Sequence, residues 1–272
     1  MTRGFHHIAC EGETLAATLD SAPGTTALLI VSGGNEIRAG AHGGMAGLAS
    51  RIADNGFPVL RFDRRGIGES TGKNGDFLGS AAEIAAAVAF LRLEKKAENI
   101  IAFGNCDAAT ALALFGPGAG IDGYILANPW VIETGAGTET GEPTISSAAI
   151  RSRYWDRIRN PRTVLDLLSG RIDLGKLFRG LRKASRAEDN SALSFRLRDA
   201  LAGLEVDARI LLAKRDTTAR AFLAAWNSAD FEPLRRKTAT SVEMLDSASH
   251  SFADVEAKNW LTEQLLDALR SA

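Results

Sequence analysis

Short apolar runs alternate with helical stretches along most of this 272-residue chain. The run ALLIVS at 27–32 is apolar up to its final serine, as in strands that are buried on both faces of a sheet. The stretch 79–96 is rich in alanine and places Ile84, Val88 and Leu91 on one face, which predicts an amphipathic helix. Because strands and helices that alternate in this way form βαβ units, we expect an α/β fold with a mostly parallel, doubly wound sheet.

The predicted elements follow one another in a regular order. A short hairpin opens the chain, formed by residues 4–10 and 14–19 with Glu11-Gly12-Glu13 at its turn. Further strands are expected at 27–32, 58–63, 99–104, 123–129, 208–216 and 240–246, and further helices at 45–55, 79–96, 218–228 and 252–270.

The alternation stops over residues 131–206. This segment contains no convincing buried strand, and from Arg151 to Arg186 it carries eleven basic residues against three acidic ones. We therefore predict a core formed by 1–130 and 207–272, with 131–206 inserted as a helical cap. The positive charge favours acidic or phosphate-bearing substrates, but arginines on helices more often form a solvated face, so both interpretations stay open.

The stretch FGNCDAAT at 103–110 lies between a predicted strand and a predicted helix. Gly104 and Ala108 stand two residues to either side of Cys106, as the small neighbours of a nucleophile on a sharp strand-to-helix turn do. The start of the helix also favours a thiolate over a thiol. A buried structural cysteine is the alternative. The context favours Cys106 as a nucleophile.

A nucleophile of this kind needs a base that follows it in the chain. Of the four histidines, His6 and His7 lie in the first strand, far upstream of Cys106. His250 follows the last predicted strand directly, in DSASHSFAD, where the chain order requires the base. His42 is interpreted as a surface or capping residue, with a place at the mouth of the pocket as the alternative.

The acid that orients the base is expected between the nucleophile and the histidine. The strand ARILLAKRD ends on Asp216, which is our candidate. Its alternative role is the N-cap of the helix that begins TTARAF. Asp230 and Asp246 are weaker candidates for the same position.

An oxyanion hole requires two backbone donors. The amide of Asp107, directly after the nucleophile, is one candidate. The second is expected from Gly33-Gly34-Asn35 after the strand ALLIVS, through Gly34 or Asn35, because glycines let the backbone approach a substrate carbonyl closely.

With these residues assembled, the chain resembles the α/β-hydrolase superfamily. The stretch GFPVLRFDRRGIGESTG at 56–72 is similar to a structural turn of the serine aminopeptidase and lysophospholipase-like branch. More closely, the chain resembles the exosortase A system-associated hydrolase 1 family of bacterial proteins encoded with exopolysaccharide and exosortase machinery. The similar pieces are LLIVSGGNEIRAGAH, PVLRFDRRGIGES, GNCDAA, LANPWV, LLSGRI and the segments around Asp216 and His250.

The resemblance implies an α/β-hydrolase fold with a helical cap and leaves the substrate open. Cys106 stands where the superfamily usually has serine, as in dienelactone hydrolases, which disfavours protease or lipase activity. The predicted function is hydrolysis of an acyl ester, thioester or lactone by Cys106, His250 and Asp216. An acyltransferase, or a catalytically silent cap-bearing binding module in export or polysaccharide assembly, is the alternative.

The composition of the chain limits the classes of partner and cofactor that we expect it to bind. A net charge of −1 gives no general reason to expect nucleic acid, and no apolar window reaches the length of a membrane span. Only Cys10 and Cys106 are present, without a CxxC motif, so a cysteine-based metal site is not expected. The N-terminal segment lacks the apolar core of a secretory signal, which predicts a cytoplasmic protein. We expect a small-molecule acyl substrate and no cofactor, and the oligomeric state stays open.

Overall fold

The computed structural model describes residues 2–132, 192–237 and 239–272. It contains one eight-stranded sheet. The strands are β1 (Thr2–Cys10), β2 (Glu13–Ser21), β3 (Thr26–Val31), β4 (Val59–Phe62), β5 (Asn99–Asn105), β6 (Gly123–Ala127), β7 (Ala208–Ala213) and β8 (Thr240–Leu245). The helices are α1 (Gly44–Asp54), α2 (Ala81–Lys95), α3 (Asp107–Phe115), α4 (Ala192–Gly203), α5 (Thr217–Trp226), α6 (Glu232–Arg235) and α7 (Val255–Ser271).

The sheet has the order β1-β2-β4-β3-β5-β6-β7-β8. The hairpin of β1 and β2 joins β4 in antiparallel orientation, and all pairs from β4 to β8 are parallel. The prediction of a mostly parallel sheet is therefore confirmed. Parallel strands place their carboxyl ends at one edge, and the loops that follow β3, β5, β6, β7 and β8 meet there.

Two apolar layers cover the two faces of the sheet. In β3, Leu29 and Val31 belong to the layer formed with α2, α3, α4 and α5, whereas Leu28 and Ile30 belong to the layer formed with α1 and α7. Successive side chains of a strand point to opposite faces, so a strand covered on both sides is apolar throughout. The sheet is doubly wound, as predicted.

The turn between β4 and α2 is structural. The Asp63 carboxylate is buried, accepts the amide of Glu69 at 3.1 Å and pairs with Arg38. The Ser70 hydroxyl donates to the carbonyl of Asp63 at 2.7 Å. These contacts fold the segment DRRGIGES back on itself beside the sheet, which fits its predicted role as a turn.

The predicted strands 123–129 and 208–216 extend beyond the observed ones. Asn128 has a φ of 41°, and Asp216 is the N-cap of α5. β6 therefore ends directly before Asn128, and β7 ends at Ala213, shortly before Asp216; both polar side chains belong to the site described below.

Most of the predicted insertion lies outside the described residues. This includes LLSGRI and the basic stretch from Arg151 to Arg186. Helix α4 is described, and its Leu193, Leu197 and Leu201 are buried in the layer that contains α3. Helix α4, which lies in the last part of the predicted insertion, thus packs with the core. None of the described helices combines the length and the apolar character needed to cross a membrane.

Candidate active site

Cys106 occupies a strained turn between β5 and α3. Its φ of 63° and ψ of −125° lie in a region that residues other than glycine rarely adopt. A Cβ atom on Gly104 would lie 2.7 Å from the backbone carbonyl carbon of Ala108, so this position requires glycine. The turn thus has the geometry of the predicted nucleophile elbow, with the cysteine side chain half-buried.

Backbone hydrogen bonds fix this turn to the neighbouring strand. The Cys106 amide donates to the carbonyl of Ala127 at 2.9 Å, and the Trp130 amide donates to the carbonyl of Cys106 at 3.2 Å. Both partners lie at the carboxyl end of β6. These bonds stabilise backbone angles that would otherwise be unfavourable.

His250 and Asp216 meet beside this turn. Nδ1 of His250 lies 3.1 Å from Oδ2 of Asp216. Burial disfavours the charged form of Asp216, but hydrogen bonds from His250 and from the amides of Ala219 and Thr218 outweigh it and lower the pKa of the carboxyl below its usual value. The carboxylate is therefore ionised and faces the imidazole.

Cys106 lies on the other side of the imidazole. The hydrogen bond to Asp216, followed by a hydrogen bond with the Cys106 side chain, raises the pKa of His250 to about 10, against desolvation, which lowers it. An imidazole between a carboxylate and a thiol is held as a cation at neutral pH. The structure thus places the His250 imidazole 3.1 Å from the Asp216 carboxylate on one side and next to the Cys106 side chain on the other.

The other acidic candidates lie elsewhere. Asp246 forms an ion pair with Arg215 at 3.1 Å, and its side chain is 79% exposed. Asp230 is exposed in the short 3-10 turn Ala229–Phe231. His42 is exposed and lines a small neighbouring cavity, but it is not among the residues that line the cavity next to Cys106.

Two asparagines hold the backbone of the histidine loop. Nδ2 of Asn128 donates to the carbonyl of His250 at 3.0 Å, and Nδ2 of Asn105 donates to the same oxygen at 3.1 Å. Asn128 is fully buried and also accepts the amide of Ala213 through Oδ1 at 2.9 Å. It thereby joins the ends of β5, β6 and β7 to His250. Asn128 was not predicted as a site residue, although an asparagine that follows a buried apolar strand is a usable signal.

The candidate oxyanion donors are arranged differently from the prediction. The amide of Gly34 donates to Oδ1 of Asp107 at 2.7 Å, so this donor is engaged by a carboxylate rather than free. Burial raises the pKa of Asp107, and the Gly34 amide and Arg64 act against that rise. The amide of Asp107 itself is at the first position of α3, where a helix offers no acceptor. Asn35 is exposed, and its side chain accepts from Asn74 at 2.9 Å.

A buried arginine supports this loop. Arg64 donates through Nη2 to the carbonyl of Gly34, and the same nitrogen lies 4.0 Å from Oδ2 of Asp107. The Gly34 peptide is therefore held on both sides, by Asp107 at its N–H and by Arg64 at its carbonyl. Neither the side chain of Asp107 nor Arg64 was assigned a role from the sequence.

A cavity of about 160 Å³ opens next to the thiol, and we refer to it as the acyl cavity. Its lining includes Val31, Gly34, Met45, Phe103, Cys106 and His250. Its walls combine apolar side chains with the loop that carries the candidate oxyanion donors. Over the described part of the chain, no group of three or more His, Cys, Asp or Glu side chains is arranged to hold a metal ion.

Comparison with known proteins identifies the fold. No protein-family model and no curated protein matches the chain. Among solved structures, the Pyrococcus furiosus esterase Pf2001 is similar with a TM-score of 0.65 and 13% identity, over 99% of this chain and 92% of that one. The α/β hydrolase GrgF from Penicillium is similar with a TM-score of 0.64 and 18% identity, over 100% of this chain and 99% of that one. The thioesterase domain from the curacin biosynthetic pathway is similar with a TM-score of 0.57 and 15% identity, over 98% of this chain and 100% of that one. The chain has the α/β-hydrolase fold.

Proposed function

We propose that the protein is an acyl hydrolase with Cys106 as nucleophile, His250 as base and Asp216 as the acid that orients His250. One observation carries the proposal: Cys106 stands on a strained strand-to-helix turn with its thiol against an imidazole that is itself bonded to a buried carboxylate. The strain and the row of three groups match the requirements of covalent catalysis. The names of the similar structures, an esterase and a thioesterase, support an acyl ester or thioester as substrate.

The proposed reaction has two halves. In the first, the thiolate of Cys106 attacks the acyl carbonyl, the carbon–oxygen or carbon–sulfur bond to the leaving group breaks, and the imidazolium of His250 gives its proton to that group. A thioester to Cys106 results. In the second half, neutral His250 takes a proton from water, whose oxygen attacks the thioester. The acid leaves, and the sulfur departs as the thiolate.

The raised pKa of His250 suits this order of events. In the free protein the Cys106 side chain contributes to the raised pKa of His250. Once Cys106 is acylated, its sulfur carries no charge, and this contribution to the pKa of His250 is lost. The pKa of His250 therefore falls on acylation, so that the imidazole stays neutral after giving its proton to the leaving group and is available as the base for water.

Stabilisation of the oxyanion involves the Asp107 amide and a second donor. Asn35 can supply it directly. Gly34 can supply it only after the Asp107 carboxylate has released the Gly34 amide, because one N–H cannot point at both groups. Each such donor typically contributes about 3 kcal/mol to the transition state.

The link to exosortase and exopolysaccharide systems, a lactone as a further substrate and a cytoplasmic location are proposals that depend on the sequence motifs alone. The same row of groups also serves an acyltransferase, in which a sugar hydroxyl takes the place of water. Addition of an alcohol acceptor to the assay distinguishes the two, because a transferase converts the acyl group to a new ester rather than to the free acid.

The experiment is an activity screen of esters, thioesters and lactones with matched cysteine variants. Cys106→Ala removes the proposed nucleophile, whereas Cys10→Ala removes the other cysteine, which is buried in β1. We expect Cys106→Ala to abolish turnover and Cys10→Ala to retain it. Turnover that survives in Cys106→Ala contradicts the proposal. Absence of turnover, together with ordinary alkylation of Cys106 by iodoacetamide across pH, favours the silent binding module.

A further inference from the structure

Met45 lies between two cavities. The acyl cavity next to Cys106 includes Met45 in its wall, and so does a second cavity of about 70 Å³, which we refer to as the side cavity. The remaining lining of the side cavity includes Leu48, Arg51, Phe252, Lys258 and Leu261. Because Met45 and Glu36 line both cavities, the two cavities are neighbours that share these side chains as a common wall.

The fold holds Met45 in this place. It is the second residue of α1, and the preceding loop closes over it with a hydrogen bond from the Ala46 amide to the carbonyl of Ala39 at 3.0 Å. A Cβ atom on Gly40, whose φ is 72°, would lie 2.6 Å from Cγ of Met45. Only glycine allows this close approach of the loop. The backbone at Gly40 thus packs directly against the side chain of Met45.

We propose that Met45 determines the length of the acyl group, and that the substrate carries a short acyl chain of up to about six non-hydrogen atoms, since an apolar cavity of about 150 Å³ holds one benzene molecule. This inference rests on the proposed function, because it assigns the acyl cavity to the group that is bonded to Cys106. The apolar side chains of Val31, Met45 and Phe103 form the walls that contact such a chain.

Longer chains meet two obstacles. They must displace the methionine side chain, and beyond it they meet Arg51 and Lys258, whose charged groups are unfavourable neighbours for methylenes. Leu48 and Leu261 offer apolar contact in the side cavity once the way is open. Replacement of Met45 by alanine joins the two cavities, and replacement by phenylalanine narrows the acyl cavity.

The test uses p-nitrophenyl esters from acetyl to decanoyl with the full-length protein and its Met45→Ala and Met45→Phe variants. Met244→Ala is the matched control, because Met244 is 52% exposed on β8. For the wild type we expect kcat/KM to fall beyond hexanoyl. In Met45→Ala the ratio of octanoyl to butyryl kcat/KM should rise at least ~10-fold, the usual discrimination for a methylene in an apolar pocket. In Met45→Phe the optimum should move towards acetyl.

The possible results separate the two proposals. An unchanged chain-length profile in both Met45 variants, with activity that still requires Cys106, overturns the role of Met45 and leaves the hydrolase intact. A wild-type optimum at octanoyl or longer overturns the short-chain substrate. Absence of Cys106-dependent turnover on every ester, thioester and lactone of the activity screen overturns the proposed function itself. If Met45→Ala fails to fold, the Met45→Phe profile decides alone.

Discussion

Oδ2 of Asp216 lies 3.1 Å from Nδ1 of His250, and the same oxygen accepts the amides of Thr218 at 2.9 Å and Ala219 at 3.0 Å. One carboxylate oxygen therefore caps helix α5 and holds the imidazole. The helix-cap role considered for Asp216 from the sequence is present in the structure, and the same oxygen faces the imidazole that the proposed acid would orient. The two roles can be separated by substitution, because an uncharged side chain can keep the cap while the negative charge is lost.

For Asp216 we predict that Asp216→Asn lowers the acyl-transfer rate strongly and keeps the helix cap, since asparagine is as good a cap as aspartate, so that its loss of stability reflects only the lost pairing with His250. Asp216→Ala should lower the rate equally and also cost about 1 kcal/mol of unfolding free energy. Asp254→Ala is the control, because Asp254 caps α7 through the amide of Ala257 at 2.9 Å. Asp254→Ala should likewise lose about 1 kcal/mol of unfolding free energy with its helix cap, and it should keep most of the activity. Kinetics and urea unfolding on the three variants measure this, and an unchanged rate in Asp216→Asn places the acid elsewhere.

The pKa of His250 predicts how stability depends on pH. The folded value of about 10 lies above the ordinary 6.5, so the charged imidazole stabilises the folded state fully below pH 6.5. This contribution disappears as pH rises towards 10. We expect the difference in unfolding free energy between wild type and His250→Gln to shrink over that interval. Denaturant unfolding at a series of pH values measures it, and a constant difference contradicts the assignment.

Asn128 should matter for both folding and rate. Asn128→Ala leaves the carbonyl of His250 with Asn105 alone and leaves the amide of Ala213 without its side-chain acceptor. Each buried group that loses its partner costs about 1–3 kcal/mol. We expect lower stability and, at temperatures where the variant is folded, a fall in kcat that exceeds any rise in KM. Asn55→Ala, which removes an exposed hydrogen bond to the carbonyl of Arg51, is the control and should change neither quantity much. A folded Asn128→Ala with wild-type kcat would show that Asn128 has only a structural role.

Asp107 provides a test of the oxyanion hole. Its carboxylate engages the Gly34 amide and adds negative charge where an oxyanion would form. We therefore expect Asp107→Ala to raise kcat by at least ~10-fold, since a single donor is worth about 10²–10³ in rate. Steady-state kinetics beside a melting curve measure the effect. A fall in kcat without loss of stability shows instead that the carboxylate organises the Gly33-Gly34 loop for catalysis.

Much of the fold was predictable because buried parallel strands and amphipathic helices leave clear apolar patterns. The strand at 27–32, the helix at 79–96 and the antiparallel hairpin at the start of the chain all follow from such patterns. Strand ends were less certain. In the predicted strands 123–129 and 208–216, Asn128 and Asp216 lie beyond the observed ends of β6 and β7. Asn128 forms a turn and Asp216 caps a helix, and the hydrophobic pattern of the sequence does not indicate such local roles.

For the site, the sequence indicated which residues could carry out the chemistry, but not which residues contact one another. Cys106, Asp216 and His250 could be chosen from the sequence because each follows a strand in a fixed order along the chain. The contact between the Asp107 carboxylate and the Gly34 amide joins residues 73 positions apart, and that between Asn128 and His250 joins residues 122 apart. Such contacts depend on strand order and loop shape, which no local pattern specifies.

The central claim is that Cys106 forms a covalent acyl intermediate. The most direct measurement mixes the protein with a short-chain thioester, quenches in acid within the first turnovers and determines the intact mass and the modified peptide by mass spectrometry. We predict a mass increase of one acyl group on the peptide that contains Cys106, absent in Cys106→Ala and present in Cys10→Ala. Turnover without any acyl group on Cys106, or an equal increase in Cys106→Ala, would contradict the account.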